Sequence, residues 1–105
     1  MAVIVKELVP TMQIDDTADV RYAPISCRAI LDKCTVYNSQ AANINLIMQL
    51  DGVRIIERSI APDETYLCPE IIGHVLDAGH SLQASQDSGL LGVYLRVSGR
   101  EITGI

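Results

Sequence analysis

The pair Asp51-Gly52 stands between two runs of alternating apolar and polar residues, INLIMQL before it and VRIIERSI after it. No other stretch limits the possible folds so strongly. A two-residue type I′ turn needs positive φ at both central positions, which Asp-Gly tolerates and most pairs do not. Period-two alternation places Ile44, Leu46, Met48 and Leu50 on one strand face, with Asn45, Gln49 and Asp51 near the other. Residues 44–60 therefore read as an antiparallel hairpin with one buried face. The pattern recurs in GVYLRVSG, where Val93, Leu95 and Val97 face in and Tyr94, Arg96 and Ser98 face out. SCRAILDKCTVYNS is a long β-rich run, one strand with a bend, closed by the turn pair Asn38-Ser39. AVIVKEL and DVRYAP supply earlier strands, and TYLC and SLQAS short later ones. REITGI finishes the sheet or extends to a neighbour.

Helix signal is confined to PEIIGHVL, with Pro69 ahead of it and Gly73 inside it, so a single turn or an irregular edge strand is expected there. About eight short strands, divided by Gly, Asn, Asp and Pro turns, predict an all-β protein with little or no helix. The expected architecture is an antiparallel β-sandwich, jelly-roll or immunoglobulin-like. Residues 20–105 form the sandwich domain, preceded by an N-terminal strand or arm and loop over residues 1–19. VPTMQIDDT, residues 9–17, reads as a polar loop at that boundary. The chain has 105 residues and four Tyr but no Phe or Trp, so its core is aliphatic. A chain of this length buries about two thirds of the surface its unfolded form exposes, and a partner surface would add to that.

The net charge of −5 disfavours direct nucleic-acid binding, and no Lys/Arg cluster offsets it. Arg54 and Arg58 around Glu57 read as a solvated strand face. No secretory signal is visible in MAVIVKELVP, and no apolar run approaches the roughly 20 residues that cross a bilayer. Cys27, Cys34 and Cys68 sit among apolar residues and read as small reduced core residues of a cytoplasmic product.

The stretch IAPDETYLCPEIIGHVLDAGHSLQAS, residues 60–85, holds both histidines, and chemistry is to be sought there first. Cys68, His74 and His80 stand six residues apart in each step, without the CxxC or HxxxH spacing of structural zinc sites. Lys33 adjoins Cys34, but neighbours on a strand point to opposite faces, so it would not activate the thiol. Asp15-Asp16 and Asp63-Glu64 lie in loops, where Pro62 fixes φ and Asp63 can bond its own backbone. No DxDxDG calcium pattern and no phosphate-binding glycine loop occur, and the glycines are turn and bulge glycines. The reading is no catalytic residue, no metal and no cofactor. APDET and DAGHS turn one strand into the next.

These turns also carry a resemblance. Tyr22-Ala23-Pro24, Pro62-Asp63-Glu64-Thr65, the segment Gly73 to Ala84 and the segment Val93 to Thr103 resemble motifs of a group of small bacteriophage virion proteins. Those proteins share a YTAP opening, a LxxGET turn, a GxVLxAGDSIxA segment and a VxVSGxEIT ending. The match runs over roughly residues 20–103. His80 stands where Asp is usual and Asp63 where Gly is usual, both at turn positions. The resemblance implies a β-sandwich building block of a phage particle, placed on the capsid, the neck or the tail. Its localisation would then be the virion, assembled in the host bacterial cytoplasm.

Two functional classes follow. The first is a non-enzymatic virion structural protein, a homo-oligomer that contacts other virion proteins, with no membrane partner. Val3, Ile4 and Val5 make a strand with few charges, and such apolar edges pair with other chains. Residues 2–8 and 101–105 are expected to reach a neighbouring subunit, with Val3, Ile4, Val5, Ile102 and Ile105 at the interface. The second is a recognition module whose loops bind a host glycan or receptor. Tyr22, Tyr37, Tyr66 and Tyr94 are its candidate aromatics, and alternation points Tyr94 away from the core.

Overall fold

Alternation and turn chemistry produce nine strands and one short 3-10 turn in the computed structural model, which describes residues 2–104. In order they are β1 (Ala2–Gln13), β2 (Val20–Tyr22), β3 (Arg28–Asn38), β4 (Ile44–Leu50), β5 (Val53–Ile60) and β6 (Thr65–Tyr66). The 3-10 turn Pro69–Ile71, β7 (Val75–Leu76), β8 (Leu82–Gln86) and β9 (Val93–Thr103) follow. One sheet runs β1-β9-β3-β6, with β7 on the other end of β3, and the second runs β2-β8-β4-β5. Every pairing is antiparallel. The chain passes between sheets at every connection except β4–β5 and β6–β7, and this pair of strand orders is that of a jelly roll. The expected β-sandwich therefore forms, in the jelly-roll arrangement of the two considered.

The core is aliphatic as its composition requires. Leu31, Val36, Leu95 and Val97 of the first sheet meet Leu46, Met48, Ile56 and Leu82 of the second, all buried. Cys34 and Cys68 lie side by side within it. The neighbouring sulfur and the loss of water both push the Cys34 thiol pKa up, so it stays protonated.

The first strand departs from its expected bounds. It runs to Gln13, through residues 9–13 that read as loop, and Leu8, Val9 and Ile14 enter the core. Pro10 suggests a break, but β1 is an edge strand and its ladder with β9 shifts register between Val9 and Met12. Proline is tolerated at both kinds of place because no ladder donor is lost. The bend expected in β3 is a register shift between Leu31 and Lys33 against β9.

Asp51 and Gly52 have φ of 54° and 78°, as a type I′ turn demands. The DAGHS turn folds back onto this hairpin. Asp51 accepts from the Ser81 amide at 2.8 Å and faces His80 Nδ1 at 2.5 Å. The Asp51 carboxylate raises the pKa of His80, while the His80 ring chiefly lowers that of Asp51. His80 thus contributes stability that is complete below the ordinary imidazole value near 6.5 and is lost as pH rises through its raised value. Asp51 contributes stability present above the ordinary carboxylate value and lost as pH falls through its lowered one. Both side chains are exposed, so the effect on global stability is small. An imidazole NMR titration should show the His80 pKa falling in Asp51→Asn. An unmoved titration would mean the pair does not form in solution.

The APDET turn is held differently from expectation. Glu64, not Asp63, caps it, accepting from the Ala61 amide at 2.8 Å. Asp63 has φ of 59° and accepts the Tyr37 hydroxyl at 2.9 Å. Glycine adopts positive φ without the cost that a side chain brings, so it would suit this position. PEIIGHVL becomes the 3-10 turn followed by β7, because Gly73 adopts φ of 87° and ends the turn.

Candidate functional site

The outer face of the first sheet is where the chain presents side chains it does not need for its core. Tyr94, Arg96, Ser98, Arg100 and Ile102 of β9 alternate with the buried residues and point away from the second sheet. Cross-strand partners share a face, so register places the rest. Val3 and Arg28 flank Ile102, while Val5 and Ile30 flank Arg100, with Val75 beyond Ile30. Glu7 and Lys33 flank Ser98, Thr35 lies beside Arg96, and Tyr37 lies beside Tyr94. The face is thus graded: apolar residues interleaved with the ion-paired Arg28 and Arg100 at the end near Val3, polar in the middle, aromatic at the end near Tyr94.

The apolar end gathers Val3, Val5, Ile30, Val75 and Ile102 on one surface. Val3 is 53% and Val5 78% exposed. β1 is the edge of its sheet, so one row of its backbone groups is free to pair. The molecule is long, 46 by 22 by 20 Å. Ile4 lies on the inward face beside Glu101, yet is 49% exposed, so the second sheet covers this end only in part. Behind it the inward face is polar. Glu101 accepts from Tyr22 at 2.5 Å and from Lys6 at 3.2 Å, and the Tyr22 hydroxyl chiefly holds its pKa below the usual carboxylate range.

Of the interface residues expected from the sequence, Val3, Val5 and Ile102 come together, and Ile4 points to the opposite face. Ile105 lies outside the described residues. Ile30 and Val75 were not expected there. The signal for Ile30 is in the run Ala29-Ile30-Leu31: three consecutive apolar residues on a strand cannot all face the core. Val75 has no such signal, since a two-residue strand has no measurable period.

The cysteines, histidines and acidic pairs are scattered. Cys68 is buried beside Cys34, His80 pairs with Asp51, and His74 is exposed beyond the 3-10 turn. No group of three His, Cys, Asp or Glu side chains comes together as a metal ion would need, among the described residues. Asp15 is bound to the Thr17 amide at 3.0 Å and to Arg21 at 3.3 Å, contacts that lower its pKa. Lys33 is exposed while Cys34 is buried, as strand alternation requires. The tyrosines separate by role. Tyr66 is buried under Arg58, with burial and Glu70 pushing its pKa up to about 12, while Tyr94 stands 36% exposed on the outer face.

Comparison with known proteins finds no matching family model, no matching curated protein and no matching solved structure.

Proposed function

We propose that this chain is a non-enzymatic structural protein of a bacteriophage particle, a jelly-roll module added through subunit contacts. The observation that carries this reading is the outward apolar cluster of Val3, Val5, Ile30, Val75 and Ile102 beside a free strand edge. An isolated chain gains nothing from exposing valines on a strand with an unpaired edge, and proteins otherwise blunt such edges with charge. Pairing of β1 with a strand of another subunit would satisfy its free amides and carbonyls and bury the valines together. The turn motifs that resemble small virion proteins support the same assignment, to capsid, neck or tail. Jelly rolls occur in viral capsid and lectin domains alike, so the fold agrees with the reading without selecting it.

Repetition is the mechanism. A standard interface removes about 1,600 Å² from water, and closed symmetry repeats that gain around a ring or lattice. The test is native mass spectrometry across concentration, on the wild type and on Val5→Lys. The substitution places a charge at an exposed position, so folding should be unaffected. We expect a discrete oligomer for the wild type and a shift to monomer for the variant. An oligomer that survives Val5→Lys, together with Val3→Lys, would remove this surface from the interface. Deleting residues 2–8 is a poorer test, because Leu8 is part of the core.

A further inference from the structure

We infer that the middle of the same outer face binds a carboxylate-bearing saccharide, at a place separate from the apolar end. Two hollows lie side by side there. One, of about 310 Å³, is lined by Lys33, Thr35, Arg96 and Ser98. The other, of about 200 Å³, is lined by Thr11, Thr35, Tyr37, Tyr94, Leu95 and Arg96. They share Thr35 and Arg96, so they form one groove whose two halves differ in chemistry. Its size is that of a small-ligand site, about 300 Å³ or more.

The polar half holds an unbalanced charge. Six of the eight Lys and Arg side chains pair with a carboxylate, and Arg58 lies over the Tyr66 ring. Lys33 alone has neither kind of partner among the described residues. Arg96 donates to Glu7 at 2.5 Å and to Thr11 at 3.4 Å, which leaves guanidinium N–H groups to spare. Lys33 and Arg96 against Glu7 leave one net positive charge, which one carboxylate neutralises through charge-assisted hydrogen bonds. A polyanion fits less well: the chain carries −5 overall, and Glu7 and Asp32 stand beside the groove.

The other half is apolar and stiff. Tyr37 and Tyr94 are cross-strand partners, and the Tyr37 hydroxyl is anchored on Asp63 at 2.9 Å. Tyrosine rings offer broad amphipathic contact at low entropic cost, a match for the C–H face of a sugar ring. Thr11, Thr35 and Ser98 add hydroxyls that both donate and accept, as sugar hydroxyls do. A bare carboxylate would fill the first half and leave the tyrosines unused. The site does not depend on the assembly reading, since a particle subunit and a free module could each carry it.

The experiment is an amide NMR titration of the full chain with sialyllactose, a glucuronic acid disaccharide, lactose and acetate. Amides at Lys33, Thr35, Tyr94, Arg96 and Ser98 should shift with at least one acidic sugar. Lactose and acetate should bind about tenfold more weakly or less. Lys33→Ala and Tyr94→Ala should each weaken the acidic sugar about tenfold with the remaining spectrum unchanged, and Val5→Lys should leave binding as it is. Acetate binding as well as the sugar acids would overturn the saccharide assignment. Lactose binding equally would overturn the role of Lys33. No shift of these amides with either acidic sugar would overturn the site altogether.

Discussion

Gly99→Ala is expected to lower the unfolding free energy by about 3 kcal/mol, at the upper end of what overpacking costs. Gly99 lies inside β9, opposite Leu31, where the β3 ladder shifts register. A methyl group there would stand 2.1 Å from the Ile30 carbonyl oxygen and 2.9 Å from Leu8 Cδ1. The leucine could move, but the carbonyl belongs to the central backbone of the sheet and cannot move without breaking the ladder. Thermal or urea unfolding of the variant measures the loss. Gly89→Ala is the control, since its added carbon would meet only an Asp16 carboxylate oxygen, at 3.8 Å, and should change stability by less than about 0.5 kcal/mol. A loss below about 1 kcal/mol for Gly99→Ala would mean that the β3 irregularity relaxes readily, and the packing account of this glycine would fall.

Asn38→Ala should cost about 2–3 kcal/mol. Asn38 is fully buried, and its side-chain amide donates to the carbonyls of Ala42, Ile60 and Ala61 at 3.0–3.2 Å. Its side-chain oxygen accepts from the Gln40 amide at 2.9 Å, and its own carbonyl accepts from Asp63. One side chain thus ties the end of β3 to the end of β5 and to the APDET turn. Alanine leaves a buried carbonyl without its donor, and the desolvation penalty is no longer offset. Asn38→Asp should be worse at neutral pH, because a carboxylate would then face three carbonyl oxygens, and should recover in part on acidification as it protonates. Urea midpoints at neutral and acid pH separate the two variants. Equal stability of Asn38→Ala and wild type would show that water replaces the amide without penalty.

The outer face of the first sheet carries both proposed uses. Its two proposed uses occupy different rows of the same ladder. Val3, Val5 and Ile102 share the rows at one end, while Lys33, Thr35, Tyr37 and their partners on β9 occupy the middle and the other end. If subunits meet at the apolar end as proposed, the groove would stay open, and an assembled particle would display one groove per copy. Substitutions at Val5 and at Lys33 should therefore act independently, on mass and on ligand binding respectively.

Much of the fold was legible because period-two alternation and turn residues act over a few neighbouring positions. The Asp51-Gly52 hairpin, the inward set of β9 and the outward direction of Tyr94 follow from local sterics alone. The extent of β1 was not legible, because whether Pro10 breaks a strand depends on which of its edges is paired, and only the sheet decides that. Neither was the choice of jelly roll over immunoglobulin-like order, which rests on pairings between residues as distant as Val3 and Ile102. The apolar cluster and the Lys33–Tyr94 groove are of the same kind. Their members come from β1, β3, β7 and β9, each unremarkable on its own strand. The sequence by itself determined which side chains of the regularly alternating strands face out; the register of four distant segments decided which of them meet.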